Sequence, residues 1–262
     1  MDPHDRVVTC RRCAGSGWGS PSACSADRPC AACQGTGHHA WTAVFIQARL
    51  GSRRFPGKVL VPVGGIPMLQ RVYDRACQIQ GIDQVIVIAP HGDVFPGFTG
   101  PVWSWPDCDE TDVLDRYWRA ARDAKADLIV RVTADCPLLD PALCTRVVER
   151  LHGDPPCEYV GVLGGPSGVG CEAFTEHALA RAAQTATHPY DREHVTPWMR
   201  GLRTAFVRAP VWTGPTKMSV DTTEDWHRLD AWIRAHDPPG PMTPPPPSAA
   251  GADARIDAAA PR

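Results

Sequence analysis

The sequence lacks any apolar run near the roughly 20 residues that a membrane-spanning helix needs, which argues against an integral membrane protein of the helical kind. It has little surplus charge: 27 Lys and Arg against 29 Asp and Glu leave a formal −2. A chain so balanced gives no reason to expect nucleic-acid binding as a whole. Its first residues, MDPHDRVVTCRRC, have no apolar core of the kind a secretory signal carries, so a cytoplasmic location is the expectation. The Walker order G-x-x-x-x-G-K-[ST] is absent as well. Residues 1–40 are short of aliphatic side chains and cannot build a core unaided, and the same holds for the Pro- and Ala-rich residues 237–262.

What is there is a central stretch, 41–236, long enough for one sizeable domain. Continuous apolar segments read as buried strands at 41–48, 83–90, 127–134 and 158–163. Between and after them, apolar residues at helical spacing predict helices over 68–79, 111–126 with Thr111 as N-cap, 140–151, 174–186 and 222–236. Buried strands alternating with helices imply an α/β fold, a Rossmann-like, mostly parallel sheet with helices on both faces. The site of such a sheet lies at the carboxyl ends of its strands. The tail from 237 reads as a disordered or polyproline-like appendage, with a proline-recognition ligand as the less expected reading.

The stretch IQARLGSRRFPGKVLVPVGG, 46–65, sits where that rule puts a ligand. Arg49, Arg53, Arg54 and Lys58 fall within ten residues of the end of the first strand. Gly51 and Gly57 let the backbone come close to a bound group, Ser52 offers a hydroxyl, and Pro56 stiffens the loop. Converging cations and free amides make a cradle for phosphate. A solvated basic turn is the plainer alternative.

The full string QARLGSRRFPGKVLVPVGGIPML resembles the nucleotide-binding signature of the sugar cytidylyltransferases, which activate acidic eight- and nine-carbon keto sugars with CTP, and of the related spore-coat polysaccharide proteins. Ala48, Arg49, Ser52, Arg54, Pro56, Lys58, Gly65, Pro67 and Met68 match it, with Arg53 where Thr or Lys is usual. The resemblance continues in order through DVLDRYWRAA (112–121), DLIVRVTADCPLLDP (127–141), DREHVTPWMR (191–200) and KMSVDTTEDW (217–226). It implies Mg²⁺-dependent transfer of CMP from CTP to a hydroxyl of a sugar or sugar acid, with release of pyrophosphate. Arg49, Lys58 and Asp135 would be catalytic. Ala48, Arg49, Ser52, Arg54, Lys58, Arg131 and Thr133 would face the nucleotide. Asp135 and Asp221 would hold Mg²⁺, which takes one or two protein carboxylates beside water and phosphate. Read from the residues alone, Asp135 could be a turn former and Asp221 an N-cap. Glu172, Arg192 and His194 would meet the acceptor. SGVGCEAF (167–174) keeps Glu172 and Phe174 but lacks the aspartates usual there, which points to a changed sugar site. Relatives also allow a homodimer.

Cysteine is plentiful, with 11 residues. Cys10-x₂-Cys13 and Cys30-x₂-Cys33 have the spacing of a structural Zn²⁺ site, and CRRCAGSG with CAACQGTG looks like two units of a DnaJ-type zinc finger. Such a module would stabilise its own fold and could dock a protein partner. Cys77, Cys108, Cys136, Cys144, Cys157 and Cys171 read as buried small hydrophobes. Two rival readings stand beside the cytidylyltransferase: a glycosyltransferase or transferase of another nucleotide on the same sheet, and a non-catalytic nucleotide-binding or zinc-finger adaptor.

Overall fold

A computed structural model describes residues 40–153, 156–212 and 214–236. The four-cysteine module and the Pro/Ala-rich tail lie outside the described residues. Within them the order is β1 (Thr42–Gln47), β2 (Pro62–Val63), β3 (Ile66–Pro67), α1 (Met68–Ala76), β4 (Gln84–Ile88), β5 (Val102–Trp103) and α2 (Val113–Ala124). Then follow β6 (Leu128–Thr133), α3 (Pro141–His152), β7 (Tyr159–Leu163), β8 (Glu172–Thr175), α4 (Glu176–Thr185), α5 (Pro189–His194), β9 (Thr204–Arg208) and α6 (Thr223–His236).

Seven strands form one sheet in the order β5-β4-β1-β6-β8-β7-β9, parallel everywhere except where β8 runs against β6 and β7. The expected α/β architecture is therefore present. Strand β1 lies centrally because both its faces are apolar. Val44 and Ile46 join one core with Val72 and Ala76 of α1 and Val147 and Val148 of α3. Ala43 and Phe45 join the other with Leu114 and Tyr117 of α2 and Ala178 and Leu179 of α4. Burying a Phe or Ile side chain this completely contributes roughly 1.5–3 kcal/mol each. A third core lies under α6, where Leu229 and Ile233 cover Val63, Met218 and Val220. That packing brings the last helix, and the residues before it, onto the region that follows β1.

Three expectations need correction. Helix α2 is capped by Asp112, whose carboxylate accepts from the Asp115 N–H, and not by Thr111. Asp109 takes both the N–H and the hydroxyl proton of Thr111, at 2.7 and 2.6 Å, which ties Thr111 into the turn before the helix. The stretch 174–186 is not one helix: Phe174 pairs with Ile129 in the sheet, and Thr175 caps α4 through Ala178 N–H. Of the six core cysteines, Cys136, Cys144, Cys157 and Cys171 are buried, while Cys77 and Cys108 are only partly so.

Candidate functional site

The loop between β1 and β2 is held by its own backbone. The N–H groups of Ser52 and Gly57 both donate to the Leu50 carbonyl, at 2.9 and 3.0 Å, and Leu50 N–H donates to Asp93. One glycine is needed here: Gly57 has φ 68°, where an L side chain is strained, whereas a Cβ on Gly51 would meet only a Glu110 carboxylate oxygen at 2.8 Å, the movable end of an exposed side chain. The turn at Gly57 leads directly into a short 3₁₀ segment, Lys58–Leu60, which points Lys58 inward.

Lys58 is 9% exposed. Its ammonium donates to Asp135 Oδ2 at 2.7 Å, to the Val220 carbonyl at 2.7 Å and to Asp221 Oδ1 at 3.3 Å. A buried ammonium is tolerable only when partnered this fully. Asp135 is two residues past β6, on the sheet's carboxyl edge, and its own carbonyl accepts from Val220 N–H at 2.9 Å. That one backbone bond sets Asp221 beside Asp135 across 86 residues of chain. Arg54 reaches Asp221 Oδ1 at 3.0 Å, and Lys217 reaches its Oδ2 at 3.0 Å. Burial tends to raise the Asp221 pKa, but the Lys217 hydrogen bond and the charges of Lys58 and Lys217 outweigh it and hold the carboxyl below its ordinary value.

Asp221 is free to face these cations because it does not cap α6. Thr222 does: its hydroxyl accepts from Asp225 N–H, while Asp225 Oδ2 accepts from the N–H groups of Thr222 and Asp221. This is the reciprocal capping arrangement. Lys217 and Arg228 in turn hold Asp225, whose carboxyl sits far below its usual range: burial would raise it, and these hydrogen bonds overcome that. Lys217 was not singled out in the sequence reading, although it opens the matching string KMSVDTTEDW (217–226).

The structure thus brings Lys58, Arg54, Asp135 and Asp221 together. Ala48 is buried at the strand end, and Ser52 Oγ accepts from Phe55 N–H within the loop. Arg49 lies 3.8 Å from Glu193 at the start of the E-H-V-T-P string. Thr133 Oγ1 sits 3.0 Å from the Cys136 thiol, whose pKa burial pushes well up.

Glu172 anchors a second cluster. Arg131 lies opposite it in the β6–β8 register and pairs with it at 2.7 Å. Tyr159 OH, Thr196 Oγ1 and Arg200 also donate to it. Burial raises the Glu172 pKa, yet the Arg131 charge and these donors more than offset that and leave it lowered. Thr196 is aimed by a strained turn: Val195, β-branched and buried, has φ 69°, and Thr196 N–H closes back on the His194 carbonyl at 2.8 Å. Arg192 and His194 take other partners. Arg192 donates to Asp112 at 2.7 Å and to the Ala183 and Ala186 carbonyls, joining the start of α2 to the end of α4. The His194 ring packs on Tyr190 at 4.3 Å.

Among the described residues no group of three or more His, Cys, Asp or Glu gathers as a self-sufficient metal site. The pair Asp135 and Asp221 nonetheless suits Mg²⁺. Both side chains are about a quarter exposed, at 25% and 23%, both lie beside the Lys58 ammonium, and Asp135 Oδ1 has no nitrogen donor on it among the described residues. An ion arriving with a polyphosphate needs no more from the protein.

A family model described as Cytidylyltransferase matches residues 43–225. The chain is 29% identical over 210 residues to the spore coat polysaccharide biosynthesis protein SpsF of Bacillus subtilis, covering 71% of this chain and 84% of that one. It is 40% identical over 179 residues to the 3-deoxy-manno-octulosonate cytidylyltransferase of Syntrophotalea carbinolica, covering 67% of this chain and 65% of the relative. For several curated relatives, this one among them, the chain spans less than two thirds of their length. A cytidylyltransferase structure from Leptospira borgpetersenii superposes with a TM-score of 0.67 at 25% identity, over 75% of this chain and 88% of that one.

Proposed function

Since the chain belongs to the cytidylyltransferase family, we propose that it transfers CMP from CTP to a hydroxyl of a sugar or sugar acid and releases pyrophosphate. The observation that carries the reading is the buried Lys58 ammonium, bracketed by Asp135 and Asp221 directly beneath the glycine- and arginine-bearing loop. The acceptor oxygen attacks the α-phosphorus, the bond from that phosphorus to the bridging oxygen breaks, and pyrophosphate carries the electron pair away. The hydroxyl proton passes to solvent, because no side chain in the cluster is a dedicated base.

Arg49 and Arg54 hold the triphosphate, while Lys58, whose three protons go to Asp135, Val220 and Asp221, adds its positive charge from beneath; together they offset the charge that grows on the departing pyrophosphate, the kind of preorganised electrostatics that commonly gives roughly 10²–10³ in rate. Asp135 and Asp221 would hold Mg²⁺. When bound, the ion neutralises phosphate charge and polarises the α-phosphate. Ala48 and Ser52 present the loop backbone, and Thr133 lines the strand end. Arg131 would face the nucleotide, and Glu172, whose lone pairs are already taken by Arg131, Tyr159, Thr196 and Arg200, would shape the acceptor side rather than bind the acceptor directly, as the sequence reading expected. Cys10, Cys13, Cys30 and Cys33 would hold a structural Zn²⁺ in a module that docks a partner; one zinc per chain by elemental analysis, lost in Cys10→Ser, is the expected result.

Incubating the full chain with CTP, Mg²⁺ and a panel of keto-sugar acids and sugar phosphates, and measuring pyrophosphate, tests the function. CTP should outperform UTP, GTP and ATP. No release with any acceptor, alongside tight CTP binding, would favour the non-catalytic adaptor instead.

A further inference from the structure

Gln47 ends β1 at the carboxyl edge of the sheet. Its backbone is engaged, with the carbonyl accepting from Ala134 N–H at 3.0 Å. Its carboxamide is not. Oε1 is buried without a hydrogen-bond partner, and Nε2 bonds to no described residue. Gln70 also has a buried oxygen with no partner, but its Nε2 donates to Asp74 at 2.8 Å. Gln47 is thus anchored at neither end. A buried polar group left unpaired costs stability, so its presence asks for a reason other than folding.

Its place in the sheet supplies one. Strand alternation puts the Gln47 side chain on the face of Ala43 and Phe45, the face that α2 covers. In the register Gln47 stands opposite Thr133 of β6, and two residues before Thr133 comes Arg131, which pairs with Glu172 of β8. Arg49 follows Gln47 by two residues, and Asp135 follows Thr133 by two. The carboxamide therefore stands at the strand ends that lead into Arg49 and Asp135. It is two strands, roughly 10 Å, from the strand that carries Glu172. Lys58, Asp135 and Asp221 are charged, and Glu172 already has its donors. Gln47 adds a neutral group that can donate and accept at once.

We propose that Gln47 orients the reacting centre: Nε2 donates to a non-bridging oxygen of the α-phosphate, and Oε1 accepts from the attacking hydroxyl. The proposal rests on the reading of the chain as a CMP transferase. A carboxamide carries its donor and acceptor side by side, and rotation about its last torsion brings either end to the strand edge, because neither is held. Gln47 takes no proton; that still leaves for solvent. Its part is alignment, holding the hydroxyl oxygen toward the phosphorus. A carboxamide without internal partners gives up no hydrogen bond when the substrates arrive.

The test compares the full native chain with Gln47→Met, which keeps the side-chain length and removes both polar ends. Calorimetric titration with CMP and with cytidine reads the phosphate contact without turnover. The native chain should prefer CMP, and that preference should fall roughly tenfold in the variant, as expected for one hydrogen bond to a charged group. With CTP, Mg²⁺ and an acceptor, kcat should fall roughly tenfold or more. Tm should hold or rise, since the variant removes an orphaned buried oxygen. The same CMP preference in both chains overturns the proposal, and so does an unchanged kcat. A Tm several degrees lower in the variant overturns it too, by giving Gln47 a structural role, as does a native chain that gains nothing from the phosphate of CMP. Absence of pyrophosphate release from the native chain counts against the transfer reading alone, and the CMP comparison still decides Gln47.

Discussion

Two carboxylate centres at the same end of the sheet differ in one respect, saturation. Glu172 is filled: Oε1 accepts from Tyr159, Thr196 and Arg200, and Oε2 from Arg131 and Thr196. A carboxylate offers about four lone-pair positions, so nothing remains for a ligand. Asp135 is not filled. Oδ2 meets Lys58, while Oδ1 has only the Cys136 thiol at 3.6 Å. Asp135 is half open and faces a cation, which is the state that the proposed role would need.

The contrast predicts opposite outcomes from equally small changes. Asp135→Asn should reduce pyrophosphate release by ~10² or more, by analogy with the loss of one electrostatic contact in a transition state. Lys58 is buried, but it keeps the Asp221 carboxylate and the Val220 carbonyl, so the loss should be smaller than where a sole charge partner is removed, about 1–2 kcal/mol and a few degrees in Tm. Glu172→Gln should do the reverse in stability. It leaves Arg131 buried beside a neutral group, at a cost of about 3 kcal/mol and a fall in Tm of roughly 6–12 °C. Calorimetry of both variants checks this; if Asp135→Asn melts lower than Glu172→Gln, the distinction between open and filled centres is gone.

Acid sharpens the same comparison. The folded-state pKa of Glu172 lies below its ordinary value of 4.5. Its stabilising contribution is therefore fully present above about 4.5 and is lost as pH falls through the lower, folded value. The gap in Tm between the native chain and Glu172→Gln should stay constant from pH 8 to pH 5 and close below that. A gap that already narrows at pH 6 would mean that Glu172 is not held ionised by Arg131.

Much of this was legible in the sequence, for identifiable reasons. Strands β1, β4 and β6 are buried on both faces and read as unbroken apolar runs. Strand β5, two residues long, and β9, with Phe206 turned to solvent, carry no such run and were missed. Phe174 suited either a helix or a strand; its pairing with Ile129, a residue 45 positions away, decided it. In the site, Lys58, Asp135 and Asp221 stand in motifs that sequence order displays. The pairing of Arg192 with Asp112 spans 80 residues, and Lys217 acts through a helix cap, so neither role was visible in a linear pattern.

The smallest effect separates two helix caps of the same chemistry. Thr222 caps α6 beside the open centre, and Thr175 caps α4 at the far end of the strand that carries Glu172. Replacing either by Ala should cost about 1 kcal/mol, or roughly 2–4 °C in Tm. Thr222→Ala should also slow pyrophosphate release several-fold. Its hydroxyl orients Asp225, Asp225 holds both the Asp221 N–H and Lys217, and Lys217 holds the Asp221 carboxylate. Thr222→Ser, which restores the hydroxyl, should recover the rate. Thr175→Ala should leave the rate unchanged, because β8 delivers Glu172 through its pairing with β6 and not through the cap. Equal loss of rate in both alanine variants would mean that activity merely follows stability, and that the chain of bonds from Thr222 to Asp221 positions nothing.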